Sequence, residues 1–177
     1  MAAKEIPKNN LKIILGGGTH IQEGWINLDI LNIPGVDIVC DLNDGIPLAD
    51  NSVIEVKARH ILEHLDDTVK IMEEIWRVCK PDARIFIKSP YYTSIGAFKD
   101  PTHKRFFTER TFEYFLPKKT DKNLPDYQIR AAFDIEYIGY IWSSPWIRFI
   151  PLKKFLRRYF WNIARTIVVR LRTVKEK

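Results

Sequence analysis

The chain has 177 residues, 46% hydrophobic and 28% charged, enough for one domain with a real core and too apolar for a disordered chain. Its net charge of +6 is uneven: residues 145–177 hold ten Lys/Arg against one acid, Glu176, leaving 18 Lys/Arg and 21 Asp/Glu in the rest. Cys40 and Cys79 belong to no C-x-x-C pair or Cys/His cluster, which speaks against a disulfide scaffold and a structural zinc and for a reduced, cytoplasmic chain; MAAKEIPKNN lacks the apolar core of a signal peptide, and no run of 18 uncharged apolar residues predicts a membrane span.

Met1 to Asn10 reads as a polar lead-in. Lys12 to Leu15 is a short apolar strand that runs straight into Gly16-Gly17-Gly18. Trp25 to Leu28 is a second strand closed by Asp29, and the ten or so residues between them leave room for one turn at Thr19 to Glu23 rather than a full crossover helix. Val36 to Cys40, after the Pro34-Gly35 turn, is a third strand ending at Asp41. Asn43 to Ser52 is rich in turn formers, and Val53 to Ala58 is a fourth strand. Asp66 to Lys80 carries Val69, Met72, Ile75, Trp76 and Cys79 at helical spacing, with Asp66 as cap and Pro81 as stop. Arg84 to Lys88 is a fifth strand. Thr108 caps a helix over Glu109 to Leu116, Lys118 to Asp126 is loop, and Phe133 to Trp142 is a long strand with Ile135, Tyr137 and Gly139 on one face.

Strands that end in polar residues, separated by helix or loop, predict an α/β fold with a mostly parallel sheet and ligands at the strand carboxyl ends. Glycines directly after a strand let backbone approach a ligand, and a carboxylate ending the next strand can accept both hydroxyls of a ribose. Gly16, Asp29 and Asp41 would line one edge of the sheet, where a nucleoside can run across them.

These residues carry a resemblance. Leu15-Gly16-Gly17-Gly18, Gly24-Trp25-Ile26-Asn27-Leu28-Asp29, Asp41-Leu42, Asp50-Asn51-Ser52-Val53, His60-Ile61-Leu62-Glu63-His64-Leu65, Arg77-Val78-Cys79-Lys80-Pro81 and Asp100-Pro101-Thr102-His103 resemble, in order and spacing, the motifs of class I S-adenosylmethionine-dependent methyltransferases, in their small compact branch. The resemblance spans roughly Lys12 to Phe115 and implies a Rossmann-like sheet with a shortened first crossover. It implies S-adenosylmethionine as cofactor. Gly16, Gly17 and Gly18 would lie against its methionine part and ribose, Asp29 on the ribose hydroxyls, Asp41 at the adenine amino group, Leu42 against the ring, and His60 beside the methionine end and the acceptor. Two departures stand out: Ile14 replaces the acidic or amide residue often found two positions before the first glycine, and Pro81-Asp82-Ala83 replaces a Pro-Gly-Gly turn. A non-catalytic binding module that keeps the fold is the rival reading.

His60-Ile61-Leu62-Glu63-His64 also fits H-x-x-E-H, the inverted zinc-protease signature. On a helix it would place two imidazoles on one face, but a third ligand is needed; the motif follows a strand, and the chain is read as holding no metal, with Glu63 and His64 structural. Asp100 and His103 have the types for acid–base work, a carboxylate orienting an imidazole, and are the catalytic candidates. Methyl transfer itself needs mainly alignment, since the sulfonium is a good leaving group.

Leu152, Phe155, Leu156, Tyr159, Ile163, Ile167 and Leu171 fall at helical spacing, with Lys153, Lys154, Arg157, Arg158, Arg165 and Arg172 largely on the other side. The chain therefore divides into a domain over residues 1–144 and a basic tail over 145–177, with a C-terminal amphipathic helix at 151–172. A basic amphipathic helix with interfacial aromatics suits an anionic membrane surface, which would make the protein a peripheral membrane transferase. Packing on the domain or homo-oligomer formation buries the same stripe. Nucleic acid fits less well, because it calls for arginines interleaved with exposed aromatics. The acceptor is left as a small molecule, glycan or lipid-linked group.

Overall fold

In the computed structural model, which describes residues 7–117 and 128–175, seven strands form one sheet. They are β1 (Leu11–Leu15), β2 (Ile26–Asp29), β3 (Ile38–Val39), β4 (Val53–Arg59), β5 (Cys79–Pro90), β6 (Phe133–Trp142) and β7 (Ala164–Thr173), in the order β3-β2-β1-β4-β5-β7-β6. Neighbouring strands from β3 to β5 pair in parallel, and β7 pairs antiparallel with both β5 and β6. The expected mostly parallel α/β sheet is present, and the carboxyl ends of β1, β2 and β4 share one edge, as the glycine–carboxylate pattern required.

Helix α1 (Thr68–Val78) starts one residue later than expected, because the cap is Asp67, whose carboxylate accepts from Val69 N at 2.8 Å and Lys70 N at 3.1 Å. It buries Ile71, Met72, Ile75 and Val78 in one cluster with Ile13, Leu15, Val56, Ile85 and Ile87, each worth roughly 1.5–3 kcal/mol of apolar transfer. The third strand shrinks to two residues, and the fifth lengthens because Cys79 already pairs with Val53. The segment after Thr108 is a 3-10 turn, Glu109–Phe115, held by a reciprocal Thr108–Thr111 box. A register shift between Ile135 and Tyr137 turns Ile135 toward Leu171, on the face opposite Tyr137 and Gly139, so the three do not share a face. The expected loop at Lys118 to Asp126 lies outside the described residues.

The tail requires a correction. No helix spans 151–172: α3 covers only Lys153–Tyr159, and Ala164–Thr173 is a strand inserted between β5 and β6. Its Ala164, Ile167, Val169 and Leu171 are at most 1% exposed. The end is tied down as well: Lys175 Nζ donates to Cys79 O at 2.6 Å and Asn51 Oδ1 at 2.7 Å, and Trp76 Nε1 donates to Val174 O. Residues 145–175 complete the sheet through β7 and are not an appendage. Basic side chains are dispersed with them: Arg170 lines the sheet face, Arg172 pairs with Glu136, and the part-buried Arg157 pairs with Glu109 at 3.0 Å.

The short crossovers leave a second mark. Parallel sheets are usually covered on both faces by crossover helices, yet the β1–β2 and β2–β3 links hold no helix. The face opposite α1 carries the rows Lys12–Glu55–Arg84–Arg172 and Ile14–Lys57–Phe86–Arg170–Tyr137. Charges over rings stand in for a helix layer: Lys57 Nζ lies 3.8 Å from the Trp25 ring centre, and Arg170 lies 5.3 Å from that of Tyr137. A depression of about 390 Å³ between Lys57, Phe86 and Arg170 sits here, away from the strand ends.

Candidate active site

The glycine turn is built by its neighbours. Gly16 has φ +61°, and a Cβ there would lie 2.6 Å from the Ile61 side chain; a Cβ on Gly17 would lie 2.2 Å from Asn27 Oδ1. Gly18, at φ +52°, faces open space. Asn27, 3% exposed, donates from Nδ2 to Gly18 O at 2.8 Å and Gly35 O at 2.9 Å, so one amide ties the glycine turn to the turn before β3. Its Oδ1 is buried with no hydrogen-bond partner among the described residues. Sequence reasoning passed over Asn27; an Asn inside an apolar strand next to glycines was the available signal, since a buried amide needs partners.

Asp29 ends β2 and is 8% exposed. Its Oδ2 accepts from Gly18 N at 2.8 Å and its Oδ1 from Leu31 N at 3.0 Å, which aims the carboxylate across the strand ends and keeps lone pairs available for a diol. Ile30 and Leu31, 62% and 54% exposed, follow it as an apolar shelf. Asp41 is half-buried beyond β3 and accepts from Asn43 N at 2.8 Å. Leu42, by contrast, sits in the core at 5% exposure, so Ile30 offers more surface to a ring than Leu42 does. Gly16, Gly17, Gly18, Asp29 and Asp41 thus lie along one sheet edge. A glycine turn that is open at Gly18 and a carboxylate at the next strand end, bonded to the Gly18 amide, fit a nucleoside-bearing amino acid.

At the end of β4, His60 adopts φ +53° and places Nδ1 3.1 Å from Glu63 Oε1. The motif after it folds as a 3-10 turn, Leu62–His64, rather than a helix, so the two-histidine face of an inverted zinc-protease helix does not form. Glu63 is 1% exposed, and its Oε2 accepts from Ser89 Oγ at 2.9 Å. The Glu63 carbonyl accepts from Lys104 N and Arg105 N, at 2.7 and 3.1 Å, bringing the Asp100-to-Arg105 loop onto the turn.

The expected Asp100–His103 pair is close but is not a hydrogen-bonded dyad. His103 Nε2 lies 3.9 Å from Asp100 Oδ2, beyond hydrogen-bond range, and His103 Nδ1 donates to Ala97 O at 2.9 Å instead. Asp100 accepts from Thr102 N and from Thr102 Oγ1, and those bonds hold its carboxyl below the ordinary carboxylate range. Thr102 Oγ1 in turn lies 2.9 Å from His64 Nδ1. The carboxylate therefore orients His64 through a threonine. His64 and His103 stand edge to face, ring centres 4.7 Å apart.

A family model described as a methyltransferase domain matches residues 18–87, the stretch from the last glycine through β4 and α1 into β5. Over that stretch the chain is similar to methyltransferase domains, in line with the motif resemblance. No curated protein matches its sequence. Among solved structures it is similar to a methyltransferase from Archaeoglobus fulgidus, at 18% identity and TM-score 0.64 over 94% of this chain and 87% of that one. It is also similar to an S-adenosylmethionine-dependent methyltransferase from Mesorhizobium loti, at 13% identity and TM-score 0.58 over 94% and 93%. The [4+2]-cyclase SpnF shares the fold at 13% identity and TM-score 0.60, over 96% of this chain and 76% of its own. Here the fold frames the cofactor edge, and the acceptor has to be argued from its own surface.

Proposed function

We propose that this protein is a methyltransferase that alkylates a glycan or lipid-linked acceptor held at an anionic membrane surface. In this reading Gly16, Gly17 and Gly18 admit the cofactor backbone, Asp29 takes the ribose, Asp41 and the Ile30 shelf take the adenine, and His60 flanks the reacting end. Bound there, S-adenosylmethionine supplies an electrophilic methyl group on a sulfonium.

One observation supports the membrane part. Phe98 stacks on Phe106 at 4.6 Å and meets Trp161 at 5.5 Å, and the three are 53%, 45% and 64% exposed. Earlier in the chain than Trp161, Trp146, Leu152, Phe155, Tyr159 and Phe160 are also more than half exposed, Phe155 lies against Tyr159, and Lys153, Lys154 and Arg158 are interspersed. Phe98 and Phe106 bracket the loop that carries His103, so the patch borders the candidate site. Large exposed apolar patches mark interaction surfaces, and aromatics mixed with cations suit an anionic interface, where each cation adds about 1 kcal/mol. The 151–172 helix is not needed for this: the single α3 segment, none of whose residues is buried, already presents Phe155 and Tyr159 beside Lys153, Lys154 and Arg158. No described helix is long and apolar enough to cross a membrane.

Sedimentation with vesicles tests it. The full chain should pellet with anionic vesicles at low salt, be released by high salt, and ignore neutral vesicles; Phe155→Glu with Trp161→Glu should abolish pelleting while keeping the circular dichroism spectrum. A full chain that stays in solution with anionic vesicles at low salt contradicts the reading.

A further inference from the structure

We infer that Glu63, His64 and His103 form a binding site for a divalent transition-metal ion beside the cofactor edge. One donor atom from each of the three lies within 4.8 Å of the other two. Glu63 and His64 sit on the 3-10 turn after β4; His103 arrives from a loop 39 residues further along. It joins Glu63 and His64 as a third donor from outside the H-x-x-E-H run, and His60 is not part of the set.

Three features make this more than proximity. First, the carboxylate is 1% exposed, and among described residues its side-chain partners are Ser89 Oγ and His60 Nδ1. No Lys or Arg lies within ion-pair range of it in the described structure. A buried carboxylate with so little positive charge near it favours a cation.

Second, the hydrogen bonds fix the histidine tautomers. Ala97 O can only accept, so His103 Nδ1 carries the proton. Thr102 Oγ1 spends its own proton on Asp100 Oδ1 at 2.7 Å, so His64 Nδ1 must donate to it. Nε2 is left as the lone-pair nitrogen on both neutral rings.

Third, that arrangement is how metal-bound histidines are held elsewhere: the outer nitrogen donates to a carbonyl or, here through Thr102, to a carboxylate. Metal bonds of about 2 Å require the three donors to close by roughly an ångström, which the half-exposed His64 ring permits.

Two imidazoles and one carboxylate suit zinc, iron, cobalt or nickel better than magnesium, which prefers oxygen ligands. Three protein ligands leave positions open on the ion. Resting on the proposed acceptor reading, an acceptor oxygen occupies one of them and is thereby fixed against the reacting end of the cofactor. Metal binding itself does not depend on that reading.

The test uses untagged, chelator-treated full-length protein titrated with Co²⁺, followed by visible absorption and calorimetry. One equivalent should bind, with d–d bands, and Zn²⁺ should displace it; Mg²⁺ should not. His103→Ala and Glu63→Gln should each remove the bands. Thr102→Val, which removes the hydroxyl between His64 Nδ1 and the Asp100 carboxylate but no donor to the ion, should weaken binding about 10- to 100-fold. His20→Ala should leave it intact. Circular dichroism and S-adenosylmethionine binding of each variant separate ligand loss from misfolding. Should His103→Ala misfold, His103→Gln, which keeps a polar side chain of similar reach, takes its place. Absence of stoichiometric Co²⁺ binding overturns the inference, as does binding that survives in folded His103 variants. Vesicle binding without metal binding would leave the acceptor reading standing and remove this one; metal binding without vesicle binding would do the reverse.

Discussion

Gly17→Ala and Gly18→Ala are one residue apart and should behave differently. A Cβ at Gly17 falls 2.2 Å from Asn27 Oδ1, whereas at Gly18 it meets nothing within 4 Å. Gly17→Ala must therefore displace the Asn27 amide and break its bonds to Gly18 O and Gly35 O. At about 1–1.5 kcal/mol for each buried hydrogen bond, that is a loss of about 2–3 kcal/mol. Gly18→Ala pays only for a left-handed backbone, about 1–2 kcal/mol. Urea unfolding of both variants gives the comparison, and a double-mutant cycle with Asn27→Ala isolates the cause: once the amide is gone, Gly17→Ala should cost less than 1 kcal/mol more, a coupling of about 2 kcal/mol. Additive effects, or a Gly17→Ala no less stable than Gly18→Ala, would show that Asn27 does not hold the turn.

Three further outcomes follow. The Glu74 carboxyl is held below its ordinary value by its hydrogen bonds to Arg77, with Ile46 N also donating to it; a depressed folded pKa gives stability that is present above about pH 4.5 and lost as pH falls further. The stability gap between wild type and Glu74→Gln, about 1 kcal/mol at pH 7, should shrink on acidification below pH 4.5, and a gap constant down to pH 3 would contradict this. Burial pushes the Cys79 thiol up to about 12, while Cys40 is only partly buried and is raised by burial and by Asp41 and Asp29. Iodoacetamide at pH 9 should thus label one thiol in the folded protein and two in denaturant, S-adenosylmethionine should slow the folded reaction, and two folded-state labels would be the wrong result. A chain ending at Ser144 loses β7 from between β5 and β6 and should show no cooperative unfolding transition; a soluble, cooperatively melting fragment would mean that residues 145–177 are an appendage after all.

The strand, glycine turn, second strand and carboxylate were legible because they are local, all within Leu11 to Asp29. The last strand was misread for a physical reason. Ile163, Ile167 and Leu171 recur every four residues, which satisfies helix spacing and also leaves Thr166-Ile167-Val168-Val169, a run of β-branched residues, as the overlooked strand signal. Antiparallel insertion between two strands then buries Ala164, Ile167, Val169 and Leu171, a partnership no local pattern announces. The Glu63–His64–His103 cluster was hidden likewise, because backbone bonds from Lys104 and Arg105 to Glu63 O, not sequence proximity, bring the loop to the turn. Asp100 and His103 were read as a pair and lie 3.9 Å apart, but the carboxylate's hydrogen bonds go to Thr102, whose hydroxyl leads on to His64, a link that spacing does not announce.

Calorimetric titration with S-adenosylmethionine tests the central claim most directly. The full chain should bind one equivalent, and Asp29→Ala, with its circular dichroism unchanged, should lose measurable binding because the ribose acceptor at the end of β2 is gone. No heat of binding in the intact protein, or equal binding in Asp29→Ala, would contradict a cofactor site built on Gly16, Gly17, Gly18 and Asp29 and would favour a module that keeps the fold without the reaction.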